Sequence, residues 1–503
     1  MTDQQNSIEV INLRLKFPGE AALVFKDVSF SVSPGEKVLL LGPSGCGKST
    51  LLQVMSGIIP NSFDVPLSHD AIQLPDSWGF VFQDPDTQFC MPYVDEELAF
   101  VLENLQVPRE DMEQRMSDVL KRVGLGTLEL HTLIERLSQG MKQRLALASV
   151  LLLEPDVLFL DEPSALLDPE GTVKIWDSVR QVATDKTVLI VEHKIDQIAD
   201  WVDRVVLFNQ IGDIIADGPP ITTFALHQEA LKQYGIWYPA VWDDYIDSAT
   251  FQALLFEREK KQAADHTQSE ALLQLENFTG HHGKESKIEV RKATIHQGSW
   301  LTVIGANGAG KSTFLLSIMH LLRTTGQYKL YGKTLDLENR KKLPPKGLSL
   351  VFQNPEMQFI TNGIFDEIAF SLQNLGYNQQ VIRQHITDLL SMFHLDMDKG
   401  RHPFQLSMGQ KRRLSVATAV AHAPRILLLD EPTFGQDARN TFSILEKLEQ
   451  LRRKGTTIIM VTHDHHIVEH FATEVWTIDK GVLINQVVAQ PRTGEERKVK
   501  HHV

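Results

Sequence analysis

The run Gly42-Pro43-Ser44-Gly45-Cys46-Gly47-Lys48-Ser49-Thr50 returns as Gly305-Ala306-Asn307-Gly308-Ala309-Gly310-Lys311-Ser312-Thr313. Both fit G-x-x-x-x-G-K-[ST], a pattern whose glycines let backbone N–H groups converge on phosphate oxygens. Each copy follows an apolar run, residues 38–41 and 301–304, and precedes a helix-period stretch, residues 51–55 and 314–319. That order is the strand, loop and helix the motif requires, so the chain must fold into two such assemblies and hold two phosphate sites.

At 503 residues the chain exceeds one ordinary core, and the repeat divides it into halves that are each of domain size. Fifty Lys and Arg against 64 Asp and Glu give 50 − 64 = −14, a balance unsuited to neutralising a phosphate backbone, so no nucleic-acid partner is expected. Cys46 and Cys90 are too few for a disulfide framework or a four-ligand zinc site, which fits a reducing cytoplasm. Residues 1–9 lack an apolar signal core, and no uncharged run approaches the ~20 residues of a membrane helix. Any role at a membrane is therefore expected to work through other polypeptides that supply the spanning segments.

The repeat extends beyond the loops. Gln83-Asp84-Pro85-Asp86-Thr87-Gln88-Phe89 returns as Gln353-Asn354-Pro355-Glu356-Met357-Gln358-Phe359, and Leu137-Ser138-Gln139-Gly140 as Leu406-Ser407-Met408-Gly409. Apolar runs at 157–160 and 426–429 end in Asp161-Glu162-Pro163 and Asp430-Glu431-Pro432, and read as buried parallel strands opening at their C-terminal ends, where ligands bind in such sheets. A last strand in each half, 187–191 and 456–461, leads to His193 and His463. On chemistry alone, Lys48 and Lys311 neutralise β- and γ-phosphate charge, and Ser49 and Ser312 offer hydroxyls to Mg²⁺. Asp161 and Asp430 read as magnesium carboxylates, with Glu162 and Glu431 as the bases that polarise an attacking water. The plainer alternative is a strand-end carboxylate capping the next turn. Ser138 and Ser407 precede long helix-period segments and read as N-caps.

Glycine-rich loop, glutamine loop, Leu-Ser-x-Gly, Asp-Glu-Pro and histidine, in that order and twice over, resemble the ATP-binding-cassette ATPases over nearly the whole chain. The resemblance implies an α/β fold: two tandem P-loop NTPase domains, each a mainly parallel sheet core with an antiparallel β subdomain and a helical subdomain. It also implies ATP and Mg²⁺ as cofactors and a head-to-tail sandwich, in which the Leu-Ser-x-Gly helix of one half faces the γ-phosphate held by the other. A helix N-terminus is a physically apt anion site. Lys48, Ser49, Gln83, Glu162 and His193 would then share a nucleotide with Ser407 and Gly409. Lys311, Ser312, Gln353, Glu431 and His463 would share another with Ser138 and Gly140. In that scheme Gln83 and Gln353 touch Mg²⁺ or water, His193 and His463 contact the γ-phosphate, and Asp168 and Asp437 lie in the loop crossing the interface. Phe17 stands where the family places an adenine-stacking aromatic, whereas the second half has Gly280-His281-His282-Gly283 there. The residues after Leu-Ser also depart from the usual Gly-Gly-Gln, reading Gln139, Gly140, Met141 and Met408, Gly409, Gln410, so two active sites of unequal rate are expected.

The glutamine loops continue into Val94-Asp95-Glu96-Glu97-Leu98-Ala99-Phe100 and Phe365-Asp366-Glu367-Ile368-Ala369-Phe370, a pattern that looks like the energy-coupling-factor importers of vitamins and metal ions, with both ATPases fused. That likeness implies a transmembrane coupling subunit, a separate substrate-binding membrane protein, and a peripheral place on the cytoplasmic side of the cell membrane. Hydroxymethylpyrimidine or thiamine is the cargo such fused forms suggest. Asp84, Asp86 and Glu356 would supply acidic charge to arginine-bearing coupling helices. Rival readings are the tandem ATPase of a sugar importer, usually with one degenerate half, and a ribosome-associated twin-cassette factor, which would need a long basic linker. The expected organisation is a first cassette at 1–221, a partly helical connector at 222–269, a second cassette at 270–490 and a disordered basic tail at 491–503. Within it, Cys46 reads as a small filler near Lys48, and Tyr234, Trp237, Tyr238, Trp242 and Tyr245 as packing between connector and cassette.

Overall fold

The computed structural model describes residues 8–18, 22–43, 45–165, 167–264, 270–335, 345–373, 378–395 and 400–489. Ser44 of the first phosphate loop, residues 265–269 of the expected connector and the tail from 490 lie outside the described residues. By compactness the chain divides into two units, Met1–Val241 with Asp437–Arg439, and Trp242–Gln436 with Asn440–Val503.

In the first unit a six-stranded sheet runs Ile214–Gly218, Arg204–Phe208, Lys37–Leu41, Thr187–Val191, Val157–Asp161, Trp78–Val81 in spatial order, parallel except for the first pair. Val157–Asp161 and Thr187–Val191 are buried at every residue, which is why they are near-continuous Val, Leu, Ile and Phe rather than alternating. Parallel register brings Asp161 level with Val191 and Leu41 level with Leu207, so the phosphate loop, Glu162 and His193 all leave the sheet at one edge. Ile8–Leu15 pairs antiparallel with Phe25–Val32 and the short strands Leu67–Ser68 and Ala71–Gln73, forming a separate sheet. Helices Val94–Asn104, Arg109–Arg122 and Gln139–Leu151 pack on one another as the helical part.

The second unit repeats these parts with one difference. Its parallel core, built on Trp300–Ile304, Thr457–Val461, Ile426–Asp430 and Leu348–Val351, is continuous with its antiparallel hairpin Ala271–His282 and Glu285–His296, because Glu289 pairs with Val482 of the last strand. One ten-stranded sheet results.

The stretch expected as a connector carries helices Pro220–Leu226, Gln228–Tyr234, Val241–Ile246 and Ala249–Ala264. In the second unit Tyr245 stacks on Phe442 at 3.8 Å between ring centres, and Trp242 stacks on His466 at 4.9 Å. Arg258 donates to the carbonyls of His470 and Ala472, which ties the longest of these helices to the cassette. These aromatic residues are thus a packing anchor, with Trp242 and Tyr245 both buried.

Candidate functional site: two phosphate-loop centres

The helix Lys48–Met55 starts at Gly47 in the left-handed region, φ 101°, with no side chain capping it. Only glycine suits this position, since a Cβ there would lie 2.8 Å from the Phe25 ring and from Val24. The first-turn N–H groups are left for an external acceptor, which is the electrostatic basis of anion binding at a helix start. Lys48 is buried and its Nζ donates to the carbonyls of Gly42 and Pro43 at 2.8 and 2.9 Å, which holds the ammonium across the loop mouth. The second loop copies this: Gly310 has φ 104°, and Lys311 Nζ donates to Gly305 and Ala306 at 2.8 and 2.9 Å. Cys46 is buried, and burial pushes its thiol up despite the nearby Lys48, as suits a filler rather than a nucleophile.

At the sheet edge the Ser49 hydroxyl donates to Asp161 Oδ1 at 2.7 Å. Burial pushes the Asp161 carboxyl up to about 6, Ser49 and Lys48 oppose that, and Glu162 adds to it. Burial likewise raises Asp430, against a hydrogen bond from Ser312 and the charges of Arg412 and Lys311. A buried carboxyl that resists ionisation, bonded to a hydroxyl beside a phosphate-type loop, is relieved by a divalent cation, so the donor set fits Mg²⁺.

Both glutamates sit in strained left-handed backbone, Glu162 at φ 48° and Glu431 at φ 50°. Their N–H groups donate across the sheet to Val191 at 2.8 Å and Val461 at 3.0 Å, which fixes a conformation costing on the order of 1 kcal/mol. The same left-handed conformation is thus held at the same place in both copies. His193 Nε2 lies 3.0 Å from Glu162 Oε1, and Gln83 Nε2 donates to Glu162 Oε2 at 2.8 Å. Burial alone would raise Glu162 and lower His193. Their mutual attraction reverses both, so Glu162 is held below its ordinary value and His193 above its own. In the second unit His463 stands 3.6 Å from Glu431, and Gln353, like Gln83, is exposed.

Lysine, serine, aspartate, glutamate and histidine therefore converge within each unit. The other expected residues lie elsewhere. Ser138 caps its helix by accepting the Met141 N–H, and Ser407 forms a full capping box with Gln410. Gly140 lies instead against Leu167 and Gly171, and Gly409 against Gln436. Asp168 caps the helix Pro169–Val182. Phe17 is half-buried against the core beneath the first antiparallel sheet.

Several residues that shape these centres escaped the motif reading. Glu192 is 2 % exposed beside His193, and Arg412 occupies in the second unit the place of Gln143, each donating to a carbonyl, Phe352 and Phe82 respectively. Burial pushes the Arg412 guanidinium down to about 10, while the charges of Glu431 and Asp430 oppose that. Lys142 pairs with Asp86 at 2.6 Å and Lys411 with Glu356. The visible signal was a charged residue inside an otherwise apolar run, as in Leu189-Ile190-Val191-Glu192.

What repeats is a P-loop nucleotide hydrolase built twice. The ABC transporter family model matches residues 25–165 and again 289–434, and the chain belongs to that family as an ABC-type ATPase with tandem cassettes. It is 34% identical to a protein of Bacillus subtilis that carries the provisional name HMP/thiamine import ATP-binding protein YkoD, over 98% of this chain and 94% of that one. A second relative, from Methanosarcina acetivorans and provisionally named an ABC transporter ATP-binding protein, is 32% identical over 96% of this chain and 86% of its own. Among solved structures, the archaeal ribosome recycling factor aABCE1 in complex with the stalk protein aP1 matches with a TM-score of 0.62 at 18% identity, over 95% of this chain and 90% of that one, which is a likeness of fold. Among the described residues no helix is long and apolar enough to cross a membrane.

Proposed function

We propose that this chain is the energising subunit of a membrane importer of the energy-coupling-factor type. In this reading it is peripheral on the cytoplasmic side of the cell membrane, bound to a transmembrane coupling subunit and a separate substrate-binding membrane protein. The observation that carries the proposal is an apolar surface beside the second glutamine loop. Met357, Ile360, Phe370 and Phe404 are 69, 65, 46 and 49% exposed. At the matching positions the first unit has Thr87, Cys90, Phe100 and Glu135, a more polar set. Exposed apolar clusters of this kind mark partner surfaces. Asp86 and Glu356 are already ion-paired within their own units, so the apolar contact is better supported than an acidic one. Import by the Bacillus relative, of HMP or thiamine as its name has it, agrees with a vitamin-like cargo.

In each centre the proposed roles are these. Lys48 or Lys311 and the helix N–H groups bind the β- and γ-phosphates. Ser49 with Asp161, or Ser312 with Asp430, and Gln83 or Gln353 would hold Mg²⁺, which would supply positive charge against the phosphate oxygens. Glu162 or Glu431 orients the attacking water and takes its proton, and His193 or His463 points that water and the γ-phosphate at one another. The resemblance, rather than the geometry of either unit, assigns Ser138 and Gly140, and Ser407 and Gly409, to the nucleotide of the opposite half, where their helix-start N–H groups would favour closure on ATP. Phe17 stacks on adenine in the first centre only.

Purification from native membranes tests the proposal. The chain is expected to sediment with membranes and to bring down at least one membrane-spanning polypeptide. Recovery with ribosomes instead would favour the ribosome-associated reading.

A further inference from the structure

The two centres differ most at the turn carrying the histidine. Strand Thr187–Val191 delivers Glu192 before His193, whereas Thr457–Val461 delivers Thr462 before His463. Glu192 Oε2 accepts the Ser164 hydroxyl at 2.7 Å and the Ser164 N–H at 3.3 Å, while Oε1 accepts the His193 N–H at 2.9 Å. One buried carboxyl thus ties the turn that follows Glu162 to the turn that carries His193. In the second unit Thr462 is 1 % exposed and its hydroxyl accepts the Asp464 N–H at 3.1 Å. A threonine ends well short of a glutamate's reach, and it serves its own turn. The gap between glutamate and histidine follows this difference, 3.0 Å in the first centre and 3.6 Å in the second.

We propose that Glu192 is a positioning residue of the first centre, absent from the second, whose clamp from Ser164 to His193 sets the Glu162–His193 geometry and makes the two centres turn over ATP unequally. The inference rests on the reading of Glu162 and His193 as water base and phosphate contact. Keeping such an acid buried is unfavourable in itself, since desolvation and the Glu162 charge push the Glu192 carboxyl up to about 7. A group held against that penalty by three hydrogen bonds constrains both turns it joins, and misplacing a catalytic pair by a fraction of an ångström lowers rate more than affinity. Glutamine at this position keeps two of the three bonds: its carbonyl accepts the His193 N–H and its amide donates to the Ser164 hydroxyl oxygen, while the longest bond, from the Ser164 N–H at 3.3 Å, is lost.

The test compares full-length variants for Mg²⁺-ATP hydrolysis. Glu192→Thr, which installs the residue of the other half, is expected to lower kcat about tenfold with KM within about twofold when both it and its reference carry Glu431→Gln, so that only the first centre turns over, an effect within the range misplacement produces. Glu192→Gln should recover kcat to within about threefold of the parent, and Thr462→Ala should change it less than about twofold. If Glu192→Thr does not fold, Ser164→Ala removes the other end of the clamp and is expected to show the same fall in kcat. Unchanged kcat in the Glu192→Thr or Ser164→Ala protein would overturn the proposal. So would a Glu192→Gln protein as slow as the threonine variant, since charge rather than the clamp would then be the cause. Failure of the underlying reading has a different signature: Glu162→Gln and Glu431→Gln would themselves leave turnover intact.

Discussion

The first centre is the more acidic, while the second carries more positive charge. Around the same lysine, serine, aspartate, glutamate and histidine, the first adds Glu192 and has Gln143, where the second has Thr462 and Arg412. In the first, Glu162 is engaged by both His193 and Gln83. The residues assigned to phosphate, metal and water are thus the same in both copies, and the buried residues beside them differ. On the proposal above, those supporting residues set how far the two copies differ in rate.

The sharpest way to break this comparison is to remove both bases. Glu162→Gln with Glu431→Gln is expected to lower ATP turnover at least about 100-fold, the usual weight of a positioned base, while leaving nucleotide binding intact. Hydrolysis at the parental rate would contradict the roles given to both carboxylates. The single variants sharpen the contrast, since two centres with different supports should lose unequal shares of turnover.

A smaller effect separates the units by stability. In the second unit Glu449 and Arg452 form a buried bidentate pair at 2.7 Å, and Arg452 also donates to the Gly298 carbonyl at 2.9 Å. Glu449→Ala leaves that guanidinium without its carboxylate and should destabilise the second unit by about 3 kcal/mol. On the helix Pro169–Val182 of the first unit, Asp177 and Arg180 make an exposed pair at 3.5 Å, and Asp177→Ala should cost less than about 0.5 kcal/mol. Chemical denaturation of the two variants measures both, and equal losses would refute the contrast.

Much of this was readable from the chain because the informative residues come in runs. Buried parallel strands announce themselves as unbroken apolar stretches, and two of them, residues 157–160 and 426–429, run directly into Asp-Glu. The strand-end carboxylates were therefore legible in the sequence, while the fold class came with the resemblance that the ordered motifs carry. Ser138 and Ser407 were legible as caps for the same local reason. Continuity of the second unit's sheet was not, because it hangs on the pairing of Glu289 with Val482, residues far apart in sequence. Nor was the local pairing of Asp86 with Lys142 or Glu356 with Lys411, since an acid in a loop looks the same whether it meets solvent, a partner or a lysine many residues on. The Ser164 to Glu192 clamp was hidden likewise: only folding brings the ends of two neighbouring strands together.

Acidity provides a graded probe of the first centre. Mg²⁺ needs the Asp161 carboxylate ionised, and burial holds that carboxyl at about 6. A proton therefore competes with the metal as pH falls through that value. Mg²⁺-dependent nucleotide affinity in an Asp430→Asn protein, which leaves only the first centre, should be level above about pH 7 and then weaken toward a limit of about tenfold per pH unit below 6. An affinity unchanged from pH 7.5 to 5 would mean that Asp161 does not meet the metal.

The smallest expected effect on nucleotide binding concerns the base. Phe17 is half-buried against the first unit's core, so part of its ring is packed and part is accessible to a ligand. Stacking on a base is worth roughly 1–2 kcal/mol, so Phe17→Ala should weaken ATP at the first centre about fivefold to thirtyfold. In the second unit the corresponding hairpin carries His281, whose Nε2 lies 3.2 Å from the Thr325 hydroxyl, and His281→Ala should shift affinity less than about twofold, because a ring held by its own sheet offers little to adenine. Titration with a fluorescent ATP analogue, set beside thermal melting, separates the two uses of Phe17. A lower melting temperature with unaltered affinity would assign the ring to the core alone, whereas weakened binding at an unaltered melting temperature would make adenine recognition another property on which the two centres part.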